Sequence, residues 1–120
     1  MYNEIDKLIK DIVSDYRAFV KGDETRVKEF QRSIEVNKGS KYIRIVANNT
    51  VWGFINKSND KFHPGDILKS KNWKTPTLNR ARGNILSGKY HINWTGPLYL
   101  HDVAGKGYYS WQSDELASIG

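Results

Sequence analysis

The chain has 120 residues, of which 38% are hydrophobic and 27% charged, with a formal net charge of +6 and no cysteine. That length suits one domain, the absent thiols exclude disulfides and thiolate metal ligands, and a mean hydropathy of −0.66 without a long apolar run excludes a spanning helix. The first residues show no basic segment followed by an apolar one, so no signal peptide is read and the cytoplasm is the expected compartment.

Ile5, Leu8, Ile9, Ile12, Val13, Tyr16, Phe19 and Val20 recur at spacings of three and four, which predicts an amphipathic helix with Asn3 as a candidate cap and Lys21-Gly22 as its stop. Asp23 or Thr25 starts a second helix with Val27, Phe30 and Ile34 on its inner face, expected to end near Asn37-Lys38-Gly39. The period then changes. Lys41-Tyr42-Ile43-Arg44-Ile45-Val46 alternates as a half-buried strand does, and Asn48-Asn49 is a good reversal into a second strand, Val51-Trp52-Gly53-Phe54-Ile55. Ser58-Asn59-Asp60 and His63-Pro64-Gly65-Asp66 are turns, with a short strand at Ile67-Leu68-Lys69.

From Ser70 to Gly88 the chain reads as a long basic loop. Alternation returns at Tyr90-His91-Ile92-Asn93-Trp94, breaks at Gly96-Pro97 and resumes at Leu98-Tyr99-Leu100. Gly105-Lys106-Gly107 is read as a link, Tyr108 to Trp111 as an edge strand and 112–120 as a short tail. The expected architecture is one α+β domain over 1–120: a helical hairpin (1–40) packed on a small twisted, mainly antiparallel β-sheet (41–111) that carries the loop 70–88.

Catalytic motifs are scarce. Gly83 to Lys89 has the G-x-x-x-x-G-K spacing of a phosphate loop, but Tyr90 stands where a metal-binding hydroxyl is needed and a strand, not a helix, is expected to follow. His63, His91 and His101 share no ligand spacing, and His101-Asp102 are neighbours that a strand would point to opposite faces. No nucleophile elbow is present. The reading is a non-catalytic protein with no metal and no cofactor; a metal-dependent nucleotide-processing enzyme is the remote alternative.

Charge offers a better lead. Residues 1–40 hold eight bases and eight acids, whereas 41–120 hold eleven bases and five acids and so carry the whole excess. Between Asp66 and Asp102 there is no acid, while Lys69, Lys71, Lys74, Arg80, Arg82 and Lys89 all fall there, with Trp73 among them and Asn72, Asn79 and Asn84 adding amide groups. Lysine and arginine neutralise phosphate and an indole offers a face to a base, so Lys69, Lys71, Trp73, Lys74, Arg80, Arg82, Asn84 and Lys89 are the candidate ligand-binding residues. Taken alone, Trp73 reads first as a core anchor and second as a stacking platform.

Tyr42-Ile43-Arg44-Ile45-Val46, Val51-Trp52-Gly53-Phe54-Ile55, Gly65-Asp66-Ile67-Leu68-Lys69, Trp73-Lys74-x-Pro76 and Arg80-Ala81-Arg82-Gly83-Asn84, followed by Trp94-Thr95-Gly96-Pro97-Leu98-Tyr99-Leu100, resemble a group of small tailed-bacteriophage proteins. The resemblance covers about residues 41–100, is most specific in the W-K-x-P…R-x-N part, and departs from the group's pattern at Lys71-Asn72. It implies a phage protein made in the infected bacterial host and implies no mechanism. Two partners are then expected in competition. One is an anionic nucleotide-type ligand or single-stranded nucleic acid on the basic loop, in a counter-defence role. The other is a host bacterial protein met by the sheet edge and the aromatic residues Tyr108, Tyr109 and Trp111, with a dimer also compatible.

Overall fold

The computed structural model describes residues 1–98. It is an α+β arrangement of two helices, α1 (Tyr2–Phe19) and α2 (Glu24–Ser33), and seven short strands. β1 (Glu35–Lys38), β2 (Tyr42–Ala47), β3 (Thr50–Asn56) and β4 (Ile67–Leu68) form a sheet in that order. β5 (Gly83–Asn84), β6 (Lys89–Asn93) and β7 (Gly96–Leu98) form a second sheet, and every strand pair is antiparallel. No helix among the described residues is long and apolar enough to cross a membrane. The readings of Tyr99 to Gly120, including the strands, the link, the tail and His101, lie outside the described residues.

The apolar stripe of α1 is buried at Ile5, Leu8, Ile12 and Val13, and the inner face of α2 at Val27 and Phe30. Asn3 does not cap α1: the helix begins at Tyr2 after Met1, whose ammonium lies 3.2 Å from Glu4. At its other end Lys21 and Gly22 take positive φ, and their amides return to the carbonyls of Ala18 and Arg17, a paired closure of the last turn. Asp23 then caps α2 through the Arg26 amide.

The second helix stops earlier than its glycine signal. Residues 35–38 pair with β2 instead, Val36 opposite Ile45 and Lys38 opposite Ile43. Strand pairing there satisfies backbone groups of β2 that a longer helix would have left open, and Gly39 turns the chain between two strands. Asn48 and Asn49 both have left-handed φ (55° and 61°), the geometry of a tight hairpin turn. The Ser33 hydroxyl accepts the Asn48 amide at 2.8 Å and so joins the end of α2 to that turn.

Register decides which face each side chain covers. In β2, Ile43, Ile45 and Ala47 enter the core beneath the helices, while Tyr42 and Arg44 face the other way. A bulge between Ile45 and Val46 leaves Trp52 without a partner in β2 and swings it to the helix side, where it is buried and donates its indole N–H to the Asn93 carbonyl at 2.9 Å. Val51, Phe54, Leu68 and Ala81 form a second, smaller core on the opposite face. The hairpin is therefore covered on both sides.

The second sheet is tied to α1 by two carboxylates one turn apart. Asp11 accepts the Tyr90 hydroxyl at 2.5 Å, and Asp15 accepts the Trp94 amide at 2.8 Å. Burial, with Asp11 beside it, pushes the Tyr90 phenol up to about 12, so it stays a donor. Trp94 then sets its edge against Tyr16 and Phe30, which stack on each other at 4.1 Å between centroids. Gly96-Pro97 does not break this sheet. Both residues lie in β7, paired with Asn93 and Ile92, and the reversal falls at Trp94-Thr95; proline is tolerated because the partner strand lies on one side only in the described sheet. Asp15→Ala, which orphans the Trp94 amide, should lower stability by about 1–2 kcal/mol in urea unfolding followed by tryptophan emission, with Asp15→Asn retaining part of the bond and losing less.

Candidate functional site

The stretch after β4 is a folded arm laid over the second core rather than an open loop. Ser70 bridges Pro76, and the amides of Lys71 and Asn72 reach the Thr75 carbonyl. The Asn72 carboxamide oxygen accepts the amides of Lys74 and Thr75 and the Thr75 hydroxyl, all within 3.0 Å, closing the tip. Pro76 is buried against the body.

Arg44 fixes this tip to the sheet. Its Nε donates to Asn37 Oδ1 across the β1–β2 pair at 3.0 Å, its Nη1 donates to the Trp73 carbonyl at 3.0 Å, and its guanidinium carbon lies 5.3 Å from the Trp73 ring centroid. Both acceptors are neutral. The charge is held in place without being cancelled.

Between the arm and the β1–β2 turn lies a groove of about 290 Å³, lined by Asn37, Lys38, Gly39, Ser40, Lys41, Tyr42, Arg44, Phe54 and Lys74. Tyr42 and Phe54 meet edge to face, with centroids 6.0 Å apart. Lys41, Arg44 and Lys74 supply three cations and no acid lines the groove; Lys38 shares the face of Ile43 and sets its ammonium 4.5 Å from the Tyr2 ring centroid on α1. Lys57 adds a fourth cation beside the groove, with its ammonium on the Gly39 carbonyl at 2.8 Å. The Gly39 turn is tight, since a Cβ there would stand 2.9 Å from the Tyr42 carbonyl oxygen.

The eight sequence candidates are divided by this geometry. Lys74 lines the groove and Trp73 stands beside it, 48% exposed and therefore not a core anchor; its neighbour Lys71 is exposed on the same tip. Lys69 lines a different depression of about 220 Å³ with Val51, Trp52, Pro97 and Leu98. Arg80 is exposed at the end of the arm, and Lys89 is exposed on β6 in the other sheet. Arg82 and Asn84 are not surface groups: they are only 4% and 8% exposed. Arg82 donates to the Arg80 carbonyl at 3.3 Å, and its amide pairs with Ile67.

Asn84 is a structural hub. Its amide nitrogen donates to the Pro64 carbonyl and to the carboxylate of Asp66, and its oxygen accepts the amides of Leu86 and Ser87. The amides of Ile85, Gly88 and Lys89 are also engaged, by the carbonyls of Gly65 and Asn84 and by the Ser87 hydroxyl. The phosphate-loop spacing thus sits on a turn whose amides donate inward and whose next element is β6. Gly83 is needed for that turn at φ +133°, where a Cβ would come within 2.6 Å of the Lys89 carbonyl oxygen.

Asp66 is buried at 1% exposure, and its second oxygen accepts the His63 amide at 2.8 Å. Burial pushes its carboxyl up to about 6, against the opposing effect of its two hydrogen bonds.

Lys41, Arg44 and the ring of Phe54 were not among the sequence candidates. Their signal was the alternation of β2: once Ile43 and Ile45 face the helices, Tyr42 and Arg44 must share the other face with whatever the arm delivers there. Comparison with protein-family models, with curated proteins and with solved structures finds no match to this chain.

Arg82→Ala should lower stability by about 2–3 kcal/mol, whereas Lys74→Ala should stay within about 0.5 kcal/mol, both read by chemical unfolding. Because the folded Asp66 holds its proton up to about pH 6 and the unfolded group only to its ordinary 3.8, its stabilising contribution is full below the lower value. It is lost as pH rises through the upper one, by up to about 3 kcal/mol. In Asp66→Asn this pH slope should flatten, while the amide meets one of the two N–H donors with its own N–H and lowers stability at every pH.

Proposed function

We propose that the protein is a non-catalytic binder of a phosphate-bearing nucleotide ligand, held in the groove between the β1–β2 turn and the arm tip. The observation that carries this reading is the acid-free lining of Lys41, Arg44 and Lys74 around the rings of Tyr42 and Phe54, with Lys57 beside it and Arg44 fixed by neutral acceptors. A guanidinium positioned before binding loses little freedom on meeting a phosphate. The half-exposed Trp73 beside Arg44 offers a ring to a base. In the setting that the phage resemblance implies, the activity is sequestration: the protein removes a nucleotide signal or strand from the host and so blunts a defence response.

The test starts from protein purified from bacteria. An absorbance ratio shifted towards 260 nm, followed by identification of the released species, is the expected result. Added ligand should change Trp73 emission, the change should be absent in Trp73→Phe, and affinity should fall as salt is raised. Lys41→Ala and Lys74→Ala should each weaken binding about tenfold with folding intact. Nucleotide recovered unchanged after long incubation with divalent metal is expected for sequestration; turnover there, or binding indifferent to both substitutions, would refute the reading.

A further inference from the structure

The groove's size and charge together select among nucleotide ligands. A volume of about 290 Å³ is at the lower end of small-molecule sites, which run from about 300 Å³ upward. Strand-binding surfaces instead follow the backbone over about 4–16 nucleotides and need cations along the whole track. Of the other basic residues selected from the sequence, Lys71 shares the tip and Arg80 stands at the end of the arm, but three do not extend the groove. Lys69 belongs to a separate depression, Lys89 is in the second sheet, and Arg82 is buried.

Within the groove, however, charge is dense. Lys41, Arg44 and Lys74 line it, Lys57 stands beside it on the Gly39 carbonyl, and none of the four takes part in the ion pairs of the described residues, which join Met1, Lys7, Arg17 and Arg26 to acids of the helical part. One phosphate monoester brings only about −1.5 to −2 charges at pH 7. Four uncancelled cations at one short site would still be half unmatched by it.

We infer that the groove takes one compact nucleotide carrying two or more phosphates, and not a strand of nucleic acid. This rests on the groove reading above and narrows it. Arg44 presents its guanidinium to one phosphate, and Lys41 and Lys74 meet the others as mobile point charges on the rim, with Lys57 beside them. The rings of Tyr42 and Trp73, above the buried Phe54, supply the apolar contact a base or ribose needs.

The experiment is calorimetric titration of the full chain with AMP, ADP and ATP, with the corresponding guanosine series, and with a twelve-residue oligothymidylate, all at one ionic strength. Within at least one base series, affinity should rise about tenfold with each added phosphate, and the best triphosphate should bind at least tenfold more tightly than the oligonucleotide. Lys41→Ala should flatten the dependence on phosphate number, and Arg44→Lys should do so while preserving total charge. If mono- and triphosphates bind alike, or the oligonucleotide binds best with a site of several nucleotides, the inference is overturned while the groove reading survives. If every ligand binds the parent and both variants equally, the groove reading itself fails.

Discussion

Arg44 leaves the middle of β2 on the face turned away from the helices and meets Asn37 on one side and the Trp73 carbonyl on the other. Those two bonds tie an edge strand, a central strand and the arm tip into one unit. Ordering the arm opposes folding by about 1–2 kcal/mol for each residue fixed. The small core of Val51, Phe54, Leu68 and Ala81, the buried Pro76 and the closed turn at Asn72 offset that term locally. An acid at position 37 would hold the guanidinium more strongly and would also neutralise it. The carboxamide positions the cation and leaves its field intact.

The same face carries a second anchor built on the opposite principle. Asp66 is enclosed, bonded to Asn84 and to the His63 amide, and keeps its charge out of reach of solvent. Around it Asn56 donates to the carbonyls of Ser58 and His63, so a set of buried amides and one carboxylate fastens the turns on both sides of β4. One end of the arm is therefore fixed by an interior polar cluster and the other by a cation at the surface. Such a division suits a binding surface, in which the exposed groups change partner while their supports do not.

Much of this was legible in the residues. The helical stripe of α1, the Asp23 cap, the Asn48-Asn49 reversal and the alternation of β2 each follow from a local rule, and the structure agrees with them. What local rules miss is pairing at a distance. Val36 and Lys38 sit in a strand only because β2 offers its edge, and Pro97 is admitted to β7 because of where that strand lies. The candidate site divided for a similar reason. A run of bases without acids marks a region, but burial of Arg82 and Asn84 and exposure of Trp73 depend on which face of the sheet the arm covers. Trp52 shows the point most sharply, since one bulged residue moved it from the arm side to the helix side.

The two carboxylates of α1 join partners that are 79 positions further along the chain. During synthesis the stripe of α1 can meet α2 and the β2–β3 hairpin as they emerge, but the bonds of Asp11 to Tyr90 and of Asp15 to Trp94 must wait until β6 and the turn after it have been made. Contacts separated this widely close late and slow the search for the native topology. The early product is a charge-balanced helical pair on its hairpin, with the face of α1 that takes the second sheet still open.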